Sequence, residues 1–291
     1  MKMKKRGSRP RREQEATKRK EELSMRSNAP IGIFDSGVGG YTVARALQKA
    51  LPKEDVIYYG DGCNAPYGNR SKEDIVHLVR QILDFMASKQ VKAVGIACNT
   101  ISTLIDEFTG YDFPIFSIVQ AGADEVVKCA PAKVGVLSTC FTAQTGAYAK
   151  LINAAAPDIQ VLSQGSVNLA ALVESGTASD DEIAKELHDS LGQMAGANPD
   201  VDTLVLGCTH YPLARDIIAR EYPQFTNIID PAMGQVEQLR ACLAANNALN
   251  ESGGSLKVFT SGDCEKYESL AARLGMVLDG PATQLHVATP L

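Results

Sequence analysis

VKAVGIACNT, residues 91–100, and VDTLVLGCTH, residues 201–210, are two similar stretches on which the fold of this chain depends. Each is an apolar run that ends in a small residue, a cysteine and two polar side chains. Such a run, bounded by polar residues, predicts a buried β-strand with the cysteine at its carboxyl end. Two thiols at equivalent places in two similar units indicate one site with a reactive sulfur on each side.

The segments around these two strands alternate between strand and helix patterns. Further strands are predicted at residues 31–34, 56–59, 114–119, 133–139, 160–162 and 256–260, and helices at 42–50, 71–86, 102–108, 120–127 and 180–195. This alternation is typical of βαβ units and parallel sheets. Residues 133–139 repeat the character of residues 31–36, so the duplication involves whole units. The sequence therefore predicts an α/β protein of two similar lobes, each with a mainly parallel sheet flanked by helices.

The predicted lobes divide the chain at two places. Residues 31–118 together with residues 232–291 are expected to form the first α/β lobe, because the last strand pattern lies beyond the second cysteine. Residues 119–231 are expected to form the second lobe. At 291 residues the chain is long enough for two domains of ordinary size.

The first 30 residues differ from the rest of the chain. They contain 11 Lys or Arg and 4 Glu and no hydrophobic run, which predicts a disordered basic extension. Three interpretations stay open: an arm for nucleic acid or another anionic surface, a disordered extension without such a role, and an over-long start with Met25 as the true first residue. Without its charge of +7, the net charge of −5 becomes −12, which argues against nucleic acid as the main partner.

The seven cysteines are expected to be reduced thiols. Their number is odd, none is spaced C-x-x-C and no export signal precedes them, so a disulfide framework and a zinc knuckle are both disfavoured. This predicts a cytoplasmic protein. No membrane partner is expected, because no apolar stretch approaches the roughly 18 residues that span a bilayer.

Polar side chains follow four of the predicted strands. They are Asp35-Ser36, Cys98-Asn99-Thr100, Ser138-Thr139 and Cys208-Thr209-His210. Ligands bind outside the carboxyl ends of the strands in open parallel sheets, so two facing lobes would bring these groups to one cleft. A single cysteine at a strand end is most often a small buried apolar residue. The pair, with polar donors beside each thiol, favours a chemical role.

Gly37-x-Gly39-Gly40 after the first strand is a weak signal for dinucleotide binding. Its spacing is not G-x-G-x-x-G, and Asp35 at the turn would repel a pyrophosphate. These glycines are better explained as letting backbone amides approach a smaller anion, such as a carboxylate.

Two thiols on opposite sides of a bound molecule suit the inversion of a stereogenic carbon. One thiolate removes a proton while the opposite thiol supplies a proton to the other face, and no metal or organic cofactor is needed. Asp35 and His210 have the chemistry to move protons onto and off a thiol. The site must also stabilise carbanion charge with oriented amides and hydroxyls. No Lys follows any of these strands, which argues against a pyridoxal Schiff base.

Several motifs resemble the signatures of the glutamate racemases, within the aspartate/glutamate racemase family. They are GIFDSGVGG at 32–40, PYG at 66–68, ACNT at 97–100 and LGCTHYPL at 206–213, and TSGD at 260–263 resembles that family's C-terminal segment. The likeness runs in order from about residue 31 to residue 278. It implies a cofactor-independent enzyme that makes D-glutamate for peptidoglycan, with the active site in the cleft between two α/β lobes.

By the same resemblance, Cys98 and Cys208 are the two catalytic acid/bases, and Asp35 and His210 assist their nearest thiols. Substrate contacts are implied for Asp35, Ser36, Tyr67, Gly68, Asn99, Thr100, Thr209 and His210. The expected partner is glutamate, and we expect a homodimer, no metal and no cofactor. Two alternatives stay open: a racemase of aspartate or another acidic compound, and a non-catalytic binding protein on the same scaffold.

Overall fold

Two separate parallel sheets organise the chain in the computed structural model, which describes residues 27–291. The predicted basic extension therefore lies outside the described residues, apart from positions 27–30. The first sheet has the order β10-β9-β2-β1-β3-β4, with β1 Ile31–Asp35, β2 Val56–Gly60, β3 Ala93–Ile96, β4 Ile115–Ser117, β9 Leu256–Thr260 and β10 Thr283–Gln284. The second has the order β6-β5-β7-β8, with β5 Lys133–Thr139, β6 Gln160–Ser166, β7 Thr203–Gly207 and β8 Asn227–Ile229.

Eleven α-helices are found among residues 27–291, and they flank these sheets. They are α1 Tyr41–Ala50, α2 Lys72–Ser88, α3 Asn99–Ser102, α4 Ile118–Cys129, α5 Cys140–Thr145, α6 Ala147–Ala155, α7 Leu169–Ser175, α8 Asp180–Ala197, α9 Arg215–Glu221, α10 Pro231–Ala245 and α11 Cys264–Arg273. Short 3₁₀ turns lie at Tyr67–Asn69, Ile105–Glu107 and Tyr211–Ala214. None of the helices described here has both the length and the apolar character of a membrane span.

The predicted α/β fold of two similar lobes is confirmed. All strand pairings are parallel, and β1 lies between β2 and β3 as β5 lies between β6 and β7. The strands β3 and β7, which precede Cys98 and Cys208, therefore hold equivalent positions in the two sheets. The last strands return to the first sheet, as expected. The predicted lobe boundaries at residues 118 and 231 stay a prediction that this strand order supports.

A single hydrophobic cluster joins the two lobes. It contains Ile33 of β1 and Val136 of β5, and it also contains Val126 of α4 and Val236 of α10, two helices that pack against each other. Burial of this much apolar surface is the main source of stability for the arrangement. The shared core holds the carboxyl ends of the two sheets toward one cleft.

The helix predicted at residues 102–108 is wrong in its position. α3 begins at Asn99, directly after the first thiol, and ends at Ser102. The Ser102 hydroxyl donates to the Ile96 carbonyl and accepts from the Ile118 amide, and the Thr103 hydroxyl donates back into the same turn. Short polar side chains that bond nearby backbone in this way compete with helix continuation.

Other elements in both lobes also depart from the predicted pattern. The strand expected at 114–119 stops at Ser117, because the Ser117 side chain caps α4 by accepting a hydrogen bond from the Gln120 amide. β6 continues to Ser166, four residues beyond its predicted end. The helices α5, α6 and α7 were not predicted, because their apolar patterns are too short to be distinguished from loop sequence.

Candidate active site

A cavity of about 340 Å³ lies between the carboxyl ends of the two sheets, and both Cys98 and Cys208 line it. The sequence motifs therefore meet as expected. Nine of the ten predicted site residues line this cavity: Ser36, Tyr67, Gly68, Cys98, Asn99, Thr100, Cys208, Thr209 and His210. The tenth, Asp35, is buried behind the wall and does not line it.

The Cys98 thiol is held at the start of α3, where the chain turns from β3 into the helix. It is 6% exposed, and its sulfur lies 3.5 Å from the Ser36 hydroxyl oxygen. Burial, together with the nearby negative charge of Asp35, raises the pKa of Cys98 to about 12. A thiol in this environment keeps its proton at neutral pH and is suited to donate it.

The Cys208 thiol has a different neighbour, an imidazole. Its sulfur lies 3.6 Å from Nδ1 of His210, and Nε2 of His210 lies 3.2 Å from a carboxylate oxygen of Glu174. Burial opposes the charged imidazolium, but contacts with Cys208 and Glu174 outweigh it and raise the pKa of His210 to about 10. The positive charge of the imidazolium therefore lies beside the Cys208 sulfur, where it would stabilise negative charge.

Glu174, on α7, is a functional residue that the sequence interpretation gave no role. Burial raises its pKa, yet His210 and the Lys266 ammonium, 2.8 Å from its second oxygen, lower that pKa to about 2. Lys266 lies on α11 of the first lobe, so this ion pair crosses the mouth of the cleft. No local sequence pattern marks Glu174, because both its partners are distant in sequence.

Asp35 links the two lobes from behind the cavity wall. Its carboxylate accepts hydrogen bonds from the Gly37 amide at 2.9 Å and from the Thr209 hydroxyl at 3.0 Å. Burial raises the pKa of Asp35, and the charge of His210 partly offsets that effect. Its predicted contact with substrate and its assistance to a thiol stay predictions, while the geometry gives it an interlobe hydrogen bond.

Neutral donors and acceptors surround the two thiols. The Asn99 carbonyl oxygen accepts from the Tyr148 hydroxyl at 2.7 Å, while its amide nitrogen is buried with no partner among the described residues. The Thr100 hydroxyl lies 3.1 Å from that of Thr139, which also lines the cavity. Because buried donors normally have a partner, the free Asn99 amide indicates a place for a polar ligand.

Tyr67 and Gly68 belong to a 3₁₀ turn that forms another wall. The Tyr67 hydroxyl donates to Asp61 at 2.5 Å, so its proton is not available to a ligand. The ring and backbone of this turn remain as contact surface. Within residues 27–291, no three His, Cys, Asp or Glu side chains are grouped so that they could hold a metal ion.

Comparison with known proteins gives one consistent family. The family model described as Asp/Glu/Hydantoin racemase matches residues 40–239. Glutamate racemase 2 of Caldanaerobacter subterraneus subsp. tengcongensis is 40% identical over 253 residues, which cover 86% of this chain and 95% of that protein. Both identity and coverage are high enough for family membership to follow.

Solved structures agree with the sequence matches. The chain is similar to the glutamate racemase of Francisella tularensis in complex with D-glutamate, with a TM-score of 0.81, 30% identity and coverage of 90% of this chain and 98% of that one. It is also similar to the RacE1 isoform of Bacillus anthracis glutamate racemase, with a TM-score of 0.82, 30% identity and coverage of 89% and 98%. The two-lobe architecture is common to all of them.

Proposed function

This chain belongs to the Asp/Glu/Hydantoin racemase family, and we propose that it interconverts L-glutamate and D-glutamate with two cysteines as the acid/bases. The observation that carries the proposal is the convergence of Cys98 and Cys208 on one cavity from equivalent strand ends of two lobes. The relatives and structural neighbours bearing the name glutamate racemase support glutamate as the substrate.

The proton transfers follow from the different surroundings of the two thiols. In one direction the Cys208 thiolate takes the α-proton, and the electron pair stays on the α-carbon and its carboxylate. The Cys98 thiol then gives its proton to the opposite face of the same carbon, which inverts the centre. In the other direction the two sulfurs exchange roles, so atoms and charges balance without metal or organic cofactor.

Charge on the substrate carboxylate is stabilised by groups already in place. The free Asn99 amide and the Ser36 and Thr100 hydroxyls belong to residues that line the cavity. Oriented donors in a site that excludes water stabilise developing negative charge more strongly than water does. His210 and Lys266 share the carboxylate of Glu174, so this wall carries one net positive charge, which suits an anionic substrate.

A biological setting follows from this reaction. We propose that the D-glutamate formed is used for peptidoglycan synthesis, and that the reaction takes place in the cytoplasm, where the seven free thiols would stay reduced. The homodimer stays a prediction, which light scattering of the purified protein tests.

One experiment tests the reaction and the substrate together. The purified protein is incubated in D₂O with each enantiomer of glutamate and of aspartate, without added cofactor, and loss of the α-proton signal and of optical rotation is followed. We expect exchange and racemisation with glutamate from both directions.

The same experiment separates the alternatives. Faster turnover of aspartate than of glutamate would make this chain a racemase of the shorter acid. Binding of glutamate without any exchange of the α-proton would favour a binding protein and contradict the two-thiol mechanism.

A further inference from the structure

The side-chain amide of Asn99 has a hydrogen-bond partner for its oxygen but none among the described residues for its nitrogen. This side chain is 2% exposed in the wall of the cavity, directly after Cys98. Its carbonyl oxygen accepts a hydrogen bond of 2.7 Å from the Tyr148 hydroxyl, and its nitrogen has no partner among the described residues. The amide therefore offers its donor end to whatever occupies the cavity.

The Tyr148 hydroxyl determines which end of the amide is offered. Tyr148 is 2% exposed, and among residues 27–291 its only hydrogen-bond acceptor is the Asn99 carbonyl oxygen. If the amide turned over, the phenolic proton would be buried without an acceptor, and an oxygen would face the cavity. Both changes are unfavourable, the second because an oxygen repels a carboxylate.

The Tyr148 ring is fixed in place by close packing. It lies on α6 against Gly122 of α4, where an added Cβ would come within 2.9 Å of Cε1 of the ring. The same Cβ would lie 3.0 Å from Pro231 at the start of α10. Glycine at position 122 thus leaves the space that the ring fills. Because α6 belongs to the second lobe and Asn99 to the first, the hydrogen bond also joins the lobes.

We propose that Tyr148 is a positioning residue that holds the Asn99 amide with its nitrogen toward a carboxylate of the substrate. The inference rests on the proposed function, which supplies the carboxylate. Tyr148 does not line the cavity and acts only through Asn99. Its loss would leave the amide free to turn its oxygen toward the ligand.

The test compares Tyr148→Phe with Tyr222→Phe. Like Tyr148, Tyr222 is a buried tyrosine of the second lobe that does not line the cavity. Its hydroxyl donates to the backbone carbonyl of Leu187 at 3.2 Å. We expect Tyr148→Phe to lower kcat/KM for both enantiomers of glutamate by at least about tenfold and to raise KM about tenfold, because the Asn99 amide binds the carboxylate in the ground state as well as in the transition state. Tyr222→Phe should leave KM unchanged.

A double-mutant cycle distinguishes positioning from a general structural effect. In an Asn99→Ala background, Tyr148→Phe should have no further effect on KM. A KM for Tyr148→Phe equal to that of the parent chain, or an equal increase of KM in both backgrounds, would overturn the inference.

A second variant keeps the inference testable if Tyr148→Phe does not fold. Asn99→Asp retains an acceptor for Tyr148 but places an oxygen where the amide nitrogen was, so KM should rise more than about tenfold. Unchanged KM in this variant would contradict the proposal. Absence of glutamate turnover in the parent chain would contradict the proposed function instead, so the two failures are distinguishable.

Discussion

Nδ1 of His210 lies 3.6 Å from Sγ of Cys208, whereas the hydrogen-bond partner of Cys98 is a hydroxyl, that of Ser36 at 3.5 Å. The two thiols stand at equivalent strand ends, yet one has a cation beside it and the other a neutral donor near a buried carboxylate. The site is symmetric in fold and asymmetric in the charges around the two sulfurs. The proposed division of proton-accepting and proton-donating roles rests on this asymmetry.

Replacement of either thiol should nearly abolish racemisation. Cys98→Ser and Cys208→Ser remove a general acid/base, whose contribution is about 10²–10⁴-fold, so kcat/KM should fall by at least about 10². Polarimetry with each glutamate enantiomer measures this. Cys129→Ser, which changes an exposed cysteine outside the cavity, should keep full activity. Full racemisation with either Cys98 or Cys208 gone would refute the mechanism.

The pH dependence of kcat/KM should follow the protonation of His210, whose pKa is raised by its contacts with Cys208 and Glu174. His210 has a pKa of about 10, so kcat/KM should fall as the pH rises through about 10 and the imidazolium loses its proton. Glu174→Gln removes an anion that favours the imidazolium, and the basic limb should move down by about one pH unit or more. Initial rates measured at evenly spaced pH values between about 6 and 11 give the shift of the basic limb.

A matched control for this variant is Glu221→Gln. Glu221 also pairs with a histidine, His188 at 3.4 Å, but on the surface. Its replacement should leave the pH profile unchanged. An equal shift in both variants would show that the effect is one of overall charge.

The same raised pKa affects stability. Because His210 binds its proton more tightly in the folded chain than at its ordinary value of 6.5, its contribution to the free energy of unfolding is complete below pH 6.5. That contribution should be lost as the pH rises through about 10. Urea unfolding of the parent chain and of Glu174→Gln at pH 6 and at about pH 10 tests the sign, since the variant should lose less between the two.

Gly39 of the first lobe lies directly against Thr209 and His210 of the second lobe. An added Cβ would overlap with the Thr209 hydroxyl oxygen and lie 2.8 Å from Cε1 of His210. Gly39→Ala should therefore displace the imidazole and lower kcat/KM by about 10²-fold, since misplacement of about 1 Å has effects of that size. Gly196→Ala is the control, because nothing lies within 4 Å of its added Cβ, and it should keep the parent activity.

The buried ion pair of Lys92 and Glu54 should govern stability without affecting catalysis. Its atoms lie 2.6 Å apart with almost no exposure, at the amino end of β3 and so opposite to Cys98. Lys92→Met would leave a buried carboxylate without its cation, and the free energy of unfolding should fall by about 3–5 kcal/mol. The kcat/KM of the folded variant should stay at the parent value.

Lys257→Met provides the comparison for that variant. Lys257 pairs with Asp279 at 3.6 Å on the same sheet, with both side chains about half exposed. Exposed pairs contribute about 0–1 kcal/mol, so this change should cost less than about 1 kcal/mol in urea unfolding. A similar small loss for Lys92→Met would contradict the assigned role of the buried pair.

Local pattern was enough to predict the duplicated α/β fold and the two thiols. The apolar runs before Cys98 and Cys208 are buried on both faces of their sheets, and this environment requires a continuous apolar run that can be recognised in the sequence. The polar residues after each strand followed from the rule that parallel strands end at one edge. The prediction of a helix at 102–108 was wrong, because the pattern of apolar residues does not show the hydrogen bonds that Ser102 makes to the backbone of Ile96 and Ile118.

The sequence by itself determined the succession of strands and helices along the chain, the position of the two cysteines at equivalent strand ends and the family resemblance. Only the tertiary structure decided that Glu174 contacts His210 and Lys266, that Tyr148 contacts Asn99, and that Asp35 lies behind the cavity wall. These contacts join residues separated by 36 to 92 positions, from different lobes or from different segments of one lobe. Periodicity reports which face of an element is buried, whereas a contact between distant side chains depends on how the lobes pack.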